Sequence, residues 1–308
     1  MPLHIATPLL ESSAFGTPQR RLWLKMEALQ PGGSFKMRGI GHACEVHAQR
    51  GAKRLMSSSG GNAGLATACA GRRLGVPVTV VVPESTLERA KTLIRREGAE
   101  VLVHGRSWME ANAHLQSLLQ PGDAFIHPFD DRLVWEGHAT MIDEVAAAGL
   151  RPDAVVLSVG GGGLMSGVIQ GLHAHGWRDV PVVAVETEGT DSLAQAVAAG
   201  RPVELPAITS IATTLGARRV CDRALACTRE HDVRSVVVSD AQAVQACLDF
   251  AREQRVIVEP ACGAALAVAV QPEAPALRGA KDVLVIVCGG AGATHEQLMD
   301  WSHGLSRA

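Results

Sequence analysis

No apolar run in the 308 residues approaches the roughly 18 that a membrane-spanning helix needs. No block of like charge occurs either, and the formal net charge is −2. Binding to nucleic acid or to an anionic membrane by bulk electrostatics is therefore not expected. None of the seven cysteines sits in a CxxC pair, and their number is odd and their spacing irregular. That argues against both a zinc site and a disulfide framework. The twelve histidines contain no HExxH pattern, and His173 and His175 lie on different faces of a helix. No GxxxxGK[ST] occurs, so a Walker A loop is excluded. The opening, MPLHIATPLLESSAFG, has neither a basic n-region nor a long apolar h-region, so no signal peptide is read and a cytoplasmic address is expected.

What is present is a globular composition, 47% hydrophobic and 19% charged. Short β-branched runs at 78–83, 99–105, 154–160, 180–186, 233–240 and 282–290 read as strands. Between them, "ESTLERAKTLIRREG" and "DAQAVQACLDFAREQ" carry apolar residues at three- and four-residue spacing. Thr86, Ser107, Asp191 and Asp240 are plausible N-caps. Strands that are nearly all apolar fit a parallel sheet buried on both faces, an α/β doubly wound fold. The stretch 121–140 interrupts this rhythm with Pro, Gly and Asp. It suggests a small inserted domain at 31–131 within a large domain made of 1–30 and 132–308.

Three glycine-rich stretches carry the chemistry. "GGSFKMRGI" places Lys36 in a glycine turn. "SVGGGGLMSGVIQG" ends a strand at Val159, follows it with four glycines and opens a helix near Leu164. Converging backbone N–H groups and the positive end of a helix make such a turn an anion cradle, usually for phosphate. "MSSSGGNAGLATACAGRRLG" opens another helix at Asn62 and suits a carboxylate. A dinucleotide fingerprint, GxGxxG, fails because Met165 or Ser166 stands where the last glycine is needed. Glu186 nevertheless closes a strand at the distance of a ribose-binding acid, which leaves a nicotinamide oxidoreductase as an alternative. One lysine, one phosphate seat and one carboxylate seat are together what pyridoxal phosphate and an amino-acid substrate require.

The segments "PGGSFKMRGIGHA", "SSGGNAGLA", "PFDDRLVWEGHA", "LSVGGGGLMSGV", "VEPACGAALA" and "VIVCGGAG" occur in that order along nearly the whole chain. Together they resemble the serine/threonine dehydratases of the tryptophan-synthase-β-like family, fold type II, and most of all the short catabolic L-serine dehydratases. The resemblance implies two domains with mostly parallel sheets, an active site between them, and a homodimer. It implies that Lys36 bonds covalently to the cofactor aldehyde, that Phe35 packs on the ring and that Asn62 binds the ring 3′-oxygen. Gly160, Gly161, Gly162, Gly163 and Leu164 would cradle the phosphate, and Cys288 would face the pyridine nitrogen. Ser59, Gly60, Asn62 and Ala63 belong to the loop that holds the substrate carboxylate. A monovalent cation, K+, would be held by Glu186 with carbonyls around Thr190, Ser192, Leu215 and Ala217. The implied reaction is β-elimination of L-serine to pyruvate and ammonia, with L-threonine to 2-oxobutanoate as second activity. Serine racemisation is the rival chemistry within the family. Racemases of the family carry serine where this chain has Gly60. Glu136, His138 and Trp135 are read as structural, and Arg38 as a residue that fixes the lysine loop.

Overall fold

A computed structural model describes residues 2–305. The chain opens with β1 (Leu9–Glu11) and β2 (Arg21–Lys25), an antiparallel pair. Helix α1 (Lys36–Gln49) leads to β3 (Arg54–Ser57), α2 (Asn62–Leu74), β4 (Val78–Val82), α3 (Glu88–Arg96), β5 (Glu100–Val103), α4 (Trp108–Leu118) and β6 (Asp123–Phe125). Next, α5 (Arg132–Ala147) precedes β7 (Ala154–Ser158), α6 (Gly163–Ala174), β8 (Val182–Thr187), α7 (Ser192–Ala199) and α8 (Asp222–Glu230). The chain ends with β9 (Val233–Val238), α9 (Asp240–Gln254), α10 (Pro260–Ala269), β10 (Asp282–Ile286) and α11 (His295–Leu305).

Two sheets result. The six-stranded sheet has the order β1-β2-β10-β7-β8-β9, and the four-stranded sheet has the order β5-β4-β3-β6. Every pairing except β1 with β2 is parallel. Each residue of β4, β7 and β8 is buried, as all-apolar sequence in a doubly covered sheet requires. The runs at 99–105 and 233–240 differ: β5 and β9 are edge strands, partly exposed, because helices cover them on fewer sides. Both sheets reverse their strand order near the middle, at β10/β7 in one and at β3 in the other. Crevices open beyond the carboxyl ends of strands at such points. The glycine-rich stretches that open α2 and α6 follow β3 and β7, and the Lys36 turn, which precedes α1, docks on the two glycines after β10.

Helix starts depart from expectation at three places. Ser107 caps α4 by accepting from Glu110 N–H. However, α3 starts one residue later than its expected cap, after Leu87, and Thr86 serves the preceding turn through its own N–H to Pro83. Ser239, not Asp240, caps α9, with Gln242 completing a capping box. Asp191 makes no side-chain cap at α7; Glu186 does so instead.

Beneath the Lys36 turn lies a buried ionic cluster. Arg38, Lys25 and Glu27 are all 0% exposed. The Arg38 guanidinium donates from Nε to Glu27 at 2.7 Å and from Nη1 to Glu144 at 2.7 Å. Lys25 also donates to Glu144 and to Thr7. The cluster joins β2, α1 and α5, so α1 leaves the sheet at a fixed angle.

Candidate active site

The Lys36 turn is docked on the end of β10. Phe35 N–H donates to the Cys288 carbonyl at 3.0 Å, Gly290 N–H donates to Gly33 at 2.8 Å, and Ser34 forms a bridge with Gly289. Gly32 and Gly33 have φ of +79° and +78°, conformations that a side chain would strain. The turn therefore needs its glycines to deliver Lys36 at the first residue of α1. Lys36 Nζ donates to the Pro128 carbonyl at 2.5 Å and lies 5.1 Å from the centroid of the Phe35 ring. Burial lowers its pKa from 10.5 to about 8, against the opposing pull of Cys288 and Glu259. Lys36 is thus a half-buried residue whose amine gives up its proton far more readily than a surface lysine.

Around that amine the expected residues converge. Cys288 is buried, and a hydrogen bond with Cys262 together with burial pushes its thiol well up, so it stays protonated. Asn62, the first residue of α2, accepts from Ala291 N–H at 3.0 Å through Oδ1. Ser59 Oγ accepts from Gly61 N–H at 3.3 Å, which shapes the turn before α2, and Ala63 is buried behind it. Gly60 abuts Thr86: a Cβ on Gly60 would lie 2.6 Å from Thr86 Cγ2 and 2.7 Å from its Oγ1.

The four glycines after β7 are each required. A Cβ at Gly161 would sit 2.3 Å from the Phe129 ring, one at Gly163 2.6 Å from the Phe129 carbonyl, and one at Gly160 3.0 Å from Leu215 Cα. Gly162 has φ +91° and caps α6, whose second residue is Leu164. The loop is therefore pressed flat, with the unpaired N–H groups of a helix N-terminus at its end.

Glu186 is 0% exposed at the end of β8. Its two oxygens accept from Leu193 and Ala194 N–H, both at 2.8 Å, and burial raises its pKa to about 8. Ser192 Oγ, six residues on, is buried with no partner among the described residues. Thr190 bonds to Thr187, and the Leu215 carbonyl accepts from Ala217 N–H. Leu215 therefore touches the glycine loop on one side and belongs to the expected cation loop on the other.

His138 is fully buried and tilted against Phe35 at 4.9 Å, with both ring nitrogens unpartnered among the described residues. Burial and the charges of Lys36 and Arg38 hold it far below the usual histidine range, so it is a neutral packing group. Glu136 pairs with Arg132 at the surface.

Two residues of the site escape the sequence reading. Glu259 is buried between Asn62, Thr214 and Gly292. Its only signal is an acid directly before a helix-starting proline. Ser58 Oγ, buried and unpartnered among the described residues, precedes the carboxylate loop. Three adjacent serines conceal which of them is oriented inward.

A family model described as "Pyridoxal-phosphate dependent enzyme" matches residues 1–289. A Mus musculus protein named "Serine dehydratase-like" is 47% identical, over 97% of this chain and 94% of its own length. A Homo sapiens protein named "L-serine dehydratase/L-threonine deaminase" is 44% identical, over 96% of this chain and 94% of its own. The crystal structure of a fungal L-serine ammonia-lyase from Rhizomucor miehei superposes with a TM-score of 0.91 at 36% identity, covering 98% of this chain and 99% of that one.

Proposed function

The chain belongs to the family of pyridoxal-phosphate-dependent enzymes, and from that premise we propose that it eliminates water from L-serine, releasing pyruvate and ammonia, with L-threonine as its second substrate. One observation carries this reading: a half-buried lysine whose amine is lowered to about 8 starts from a turn docked on the glycine-rich end of β10, which bonds Asn62 at the start of α2 through Ala291, and reaches the Pro128 carbonyl beside the Phe129 ring on which the glycine loop after β7 packs.

The residues present fit the cofactor. Glycines at 160 to 163 let the loop pack flat against Phe129, Leu215 and Ala224, which a Cβ at any of the four would crowd, and so bring its backbone to the N-terminus of α6. Asn62 Nδ2 and the buried Ser58 Oγ, unpartnered among the described residues, add polar groups around the α2 N-terminus. Gly160 to Gly163 and Leu164 would hold the phosphate through backbone N–H, Phe35 would pack on the ring, Asn62 would bind its 3′-oxygen, and the Cys288 thiol would stand at its nitrogen. Bound there, pyridoxal phosphate supplies an aldehyde that captures amines and a conjugated ring that takes up electron density from Cα.

Lys36 has two duties. Its amine would hold the cofactor at rest and would take the Cα proton of the substrate, for which it must be neutral. At a pKa of about 8 roughly half of it is neutral at pH 8, against well under 1% for an ordinary lysine. The N-terminus of α2, with Ser59, Gly60 and Ala63, orients the substrate carboxylate. Cys288 is a thiol that stays protonated, so it does not offer the ring nitrogen a negative charge. Cys288 would therefore add little to the ring's withdrawal of electron density from Cα.

The reading extends to a monovalent cation, potassium. Glu186 is a buried carboxyl, and Ser192 Oγ is a buried hydroxyl without a partner among the described residues. A cation beside Glu186 and the carbonyls of Thr190, Ser192, Leu215 and Ala217 would offset both deficits and brace the loop under Gly160. The reading also includes a small unit at 31–131, whose sheet lies between β2 and β7 in sequence. It further includes a homodimer, for which the exposed Leu10 on edge strand β1 offers apolar surface. Seven free, buried cysteines suit the reducing cytoplasm. Among the described residues no helix is long and apolar enough to cross a membrane.

The test is a spectrum followed by an assay. Purified protein with pyridoxal phosphate should show a visible band that borohydride bleaches and fixes covalently on Lys36, and serine should then yield pyruvate. A colourless protein indifferent to added cofactor, or a coloured one that leaves serine untouched, refutes the proposal.

A further inference from the structure

Glu259 makes a set of contacts that the reaction above does not use. It directly precedes α10 and is 5% exposed. Its Oε1 accepts from Asn62 Nδ2 at 2.7 Å and from the Thr214 hydroxyl at 2.6 Å. Its Oε2 accepts from Gly292 N–H at 3.2 Å. The donors come from three separate pieces of chain: the start of α2, the loop between α7 and α8, and the loop after β10. Asn62 Oδ1 in turn accepts from Ala291 N–H, which closes a ring of bonds around one amide. The backbone is shaped for this carboxyl. Gly290 has φ +122°, and a Cβ there would lie 1.9 Å from Glu259 Cδ.

A buried carboxylate is costly unless its oxygens are satisfied. Here they are satisfied by neutral donors. The charged groups that face Lys36 in the same space are few. Glu259 on the α10 side and the protonated Cys288 thiol at the end of β10 act on it, while it acts on His127 and His138 near α5, both held neutral. Burial pushes the Glu259 carboxyl up from its ordinary range, and the group is nevertheless retained at a place where it orders Asn62 from one side and two loops from the others.

We propose that Glu259 is a positioning residue for pyridoxal phosphate: it aims the Asn62 amide into the cofactor seat and holds the Thr214 and Gly292 loops closed around it. A carboxylate that acts only on fold stability would lower the thermal midpoint and leave the role of Asn62 in cofactor binding untouched. A carboxylate that acts through Asn62 makes the two residues interdependent, so their effects on cofactor affinity do not multiply.

The experiment is a thermodynamic cycle on cofactor affinity. Apo-enzyme is prepared as wild type, Glu259→Gln, Asn62→Ala and the double variant. Each is titrated with pyridoxal phosphate and followed by visible absorbance. Each single variant is expected to raise the dissociation constant at least about tenfold, since one well-placed hydrogen bond to a charged group is at stake. The double variant is expected to fall within about threefold of the weaker single. The position of the visible band should move in both singles, because the group opposite the ring oxygen has changed. Should Glu259→Gln fail to fold, Thr214→Val, which removes the second donor to the same oxygen, takes its place in the cycle with the same outcomes. The proposal rests on the pyridoxal-phosphate reading. A wild-type apo-protein that takes up no cofactor overturns both. Wild-type uptake with losses that multiply, or a Glu259→Gln variant that binds as wild type with an unmoved band, overturns only the role given to Glu259.

Discussion

Replacing Gly60 by serine tests how the site separates elimination from racemisation. Racemisation needs a proton donor on each face of Cα. In the proposed reaction Lys36 serves one, and position 60 carries no side chain to serve the other. The structure adds a reason for the glycine. A Cβ at Gly60 would meet Thr86 Cγ2 at 2.6 Å and Oγ1 at 2.7 Å, both inside van der Waals contact. The backbone is not the obstacle, because Gly60 is absent from the residues with positive φ. The strain is therefore one of packing, and it falls on a half-buried side chain in the turn before α3. Overpacking of this kind costs about 1–3 kcal/mol. If about 2 kcal/mol of it is borne by the reactive geometry, kcat/KM for pyruvate formation falls about thirtyfold. Thr86→Ala in the Gly60→Ser background removes the clash and should restore most of that loss. It should also reveal D-serine production that the wild type lacks. Pyruvate is followed by coupled lactate dehydrogenase and D-serine by chiral chromatography, after cofactor binding has been checked. A Gly60→Ser enzyme with the wild-type pyruvate rate refutes the clash. Wild-type D-serine that disappears in Thr86→Val shows instead that the Thr86 hydroxyl already serves the far face.

Lys36→Ala should lose the visible band and at least about a thousandfold of turnover, since general base and cofactor anchor go together; a retained band would place the covalent link elsewhere. In the apo-protein the folded pKa of Lys36, about 8, lies below its ordinary 10.5, so the unfolded chain holds the extra proton between those values and stability rises with pH across that window by up to about 3 kcal/mol. The difference in midpoint between wild type and Lys36→Met, measured from pH 7 to 10.5, should show that slope, and parallel curves would contradict it. Glu186 has the opposite sign: its carboxyl is raised from 4.5 to about 8, so its contribution is lost as pH rises through that range, and a cation that needs the ionised form should bind with proton release. Potassium should raise both activity and thermal midpoint, and equal values in sodium, potassium and a bulky organic cation would count against the site. Arg38→Ala leaves Lys25 as the one buried cation for two carboxylates, Glu27 and Glu144, and should cost about 3–5 kcal/mol in urea unfolding; a loss below about 1 kcal/mol would mean that Lys25 and the rest of the cluster reorganise to compensate.

Much of this was legible in the linear chain, for identifiable reasons. The buried strands β4, β7 and β8 are continuous apolar runs because both faces are covered, and no other environment tolerates them. The edge strands β5 and β9 have similar composition, so periodicity alone could not show that they lie at the margins. The cap of α3 was misplaced because Thr86 is a good capping residue by type, while the turn from Pro83 absorbs its N–H and the helix begins after Leu87. In each case local chemistry names the residue, and the partner across space decides its use.

The same distinction explains which parts of the site could be read. Lys36, the glycines at 160 to 163 and Asn62 are local devices: a turn, a flat loop and a helix start, each with its signature within a few residues. Glu259 and Thr86 are not. Glu259 stands 197 residues from Asn62 and 45 from Thr214, and only the closure of the sheets onto one another brings them within hydrogen-bond range. Thr86 bears on Gly60 only because the turn after β4 lies beside the turn after β3, a consequence of the parallel pairing of those strands. The groups readable in one dimension are thus the ones proposed to seat the cofactor. Those assembled only in three dimensions pack around it, and on the proposed reading substitutions at Glu259 and Thr86 are where enzymes sharing this cofactor seat are expected to diverge in affinity and in product.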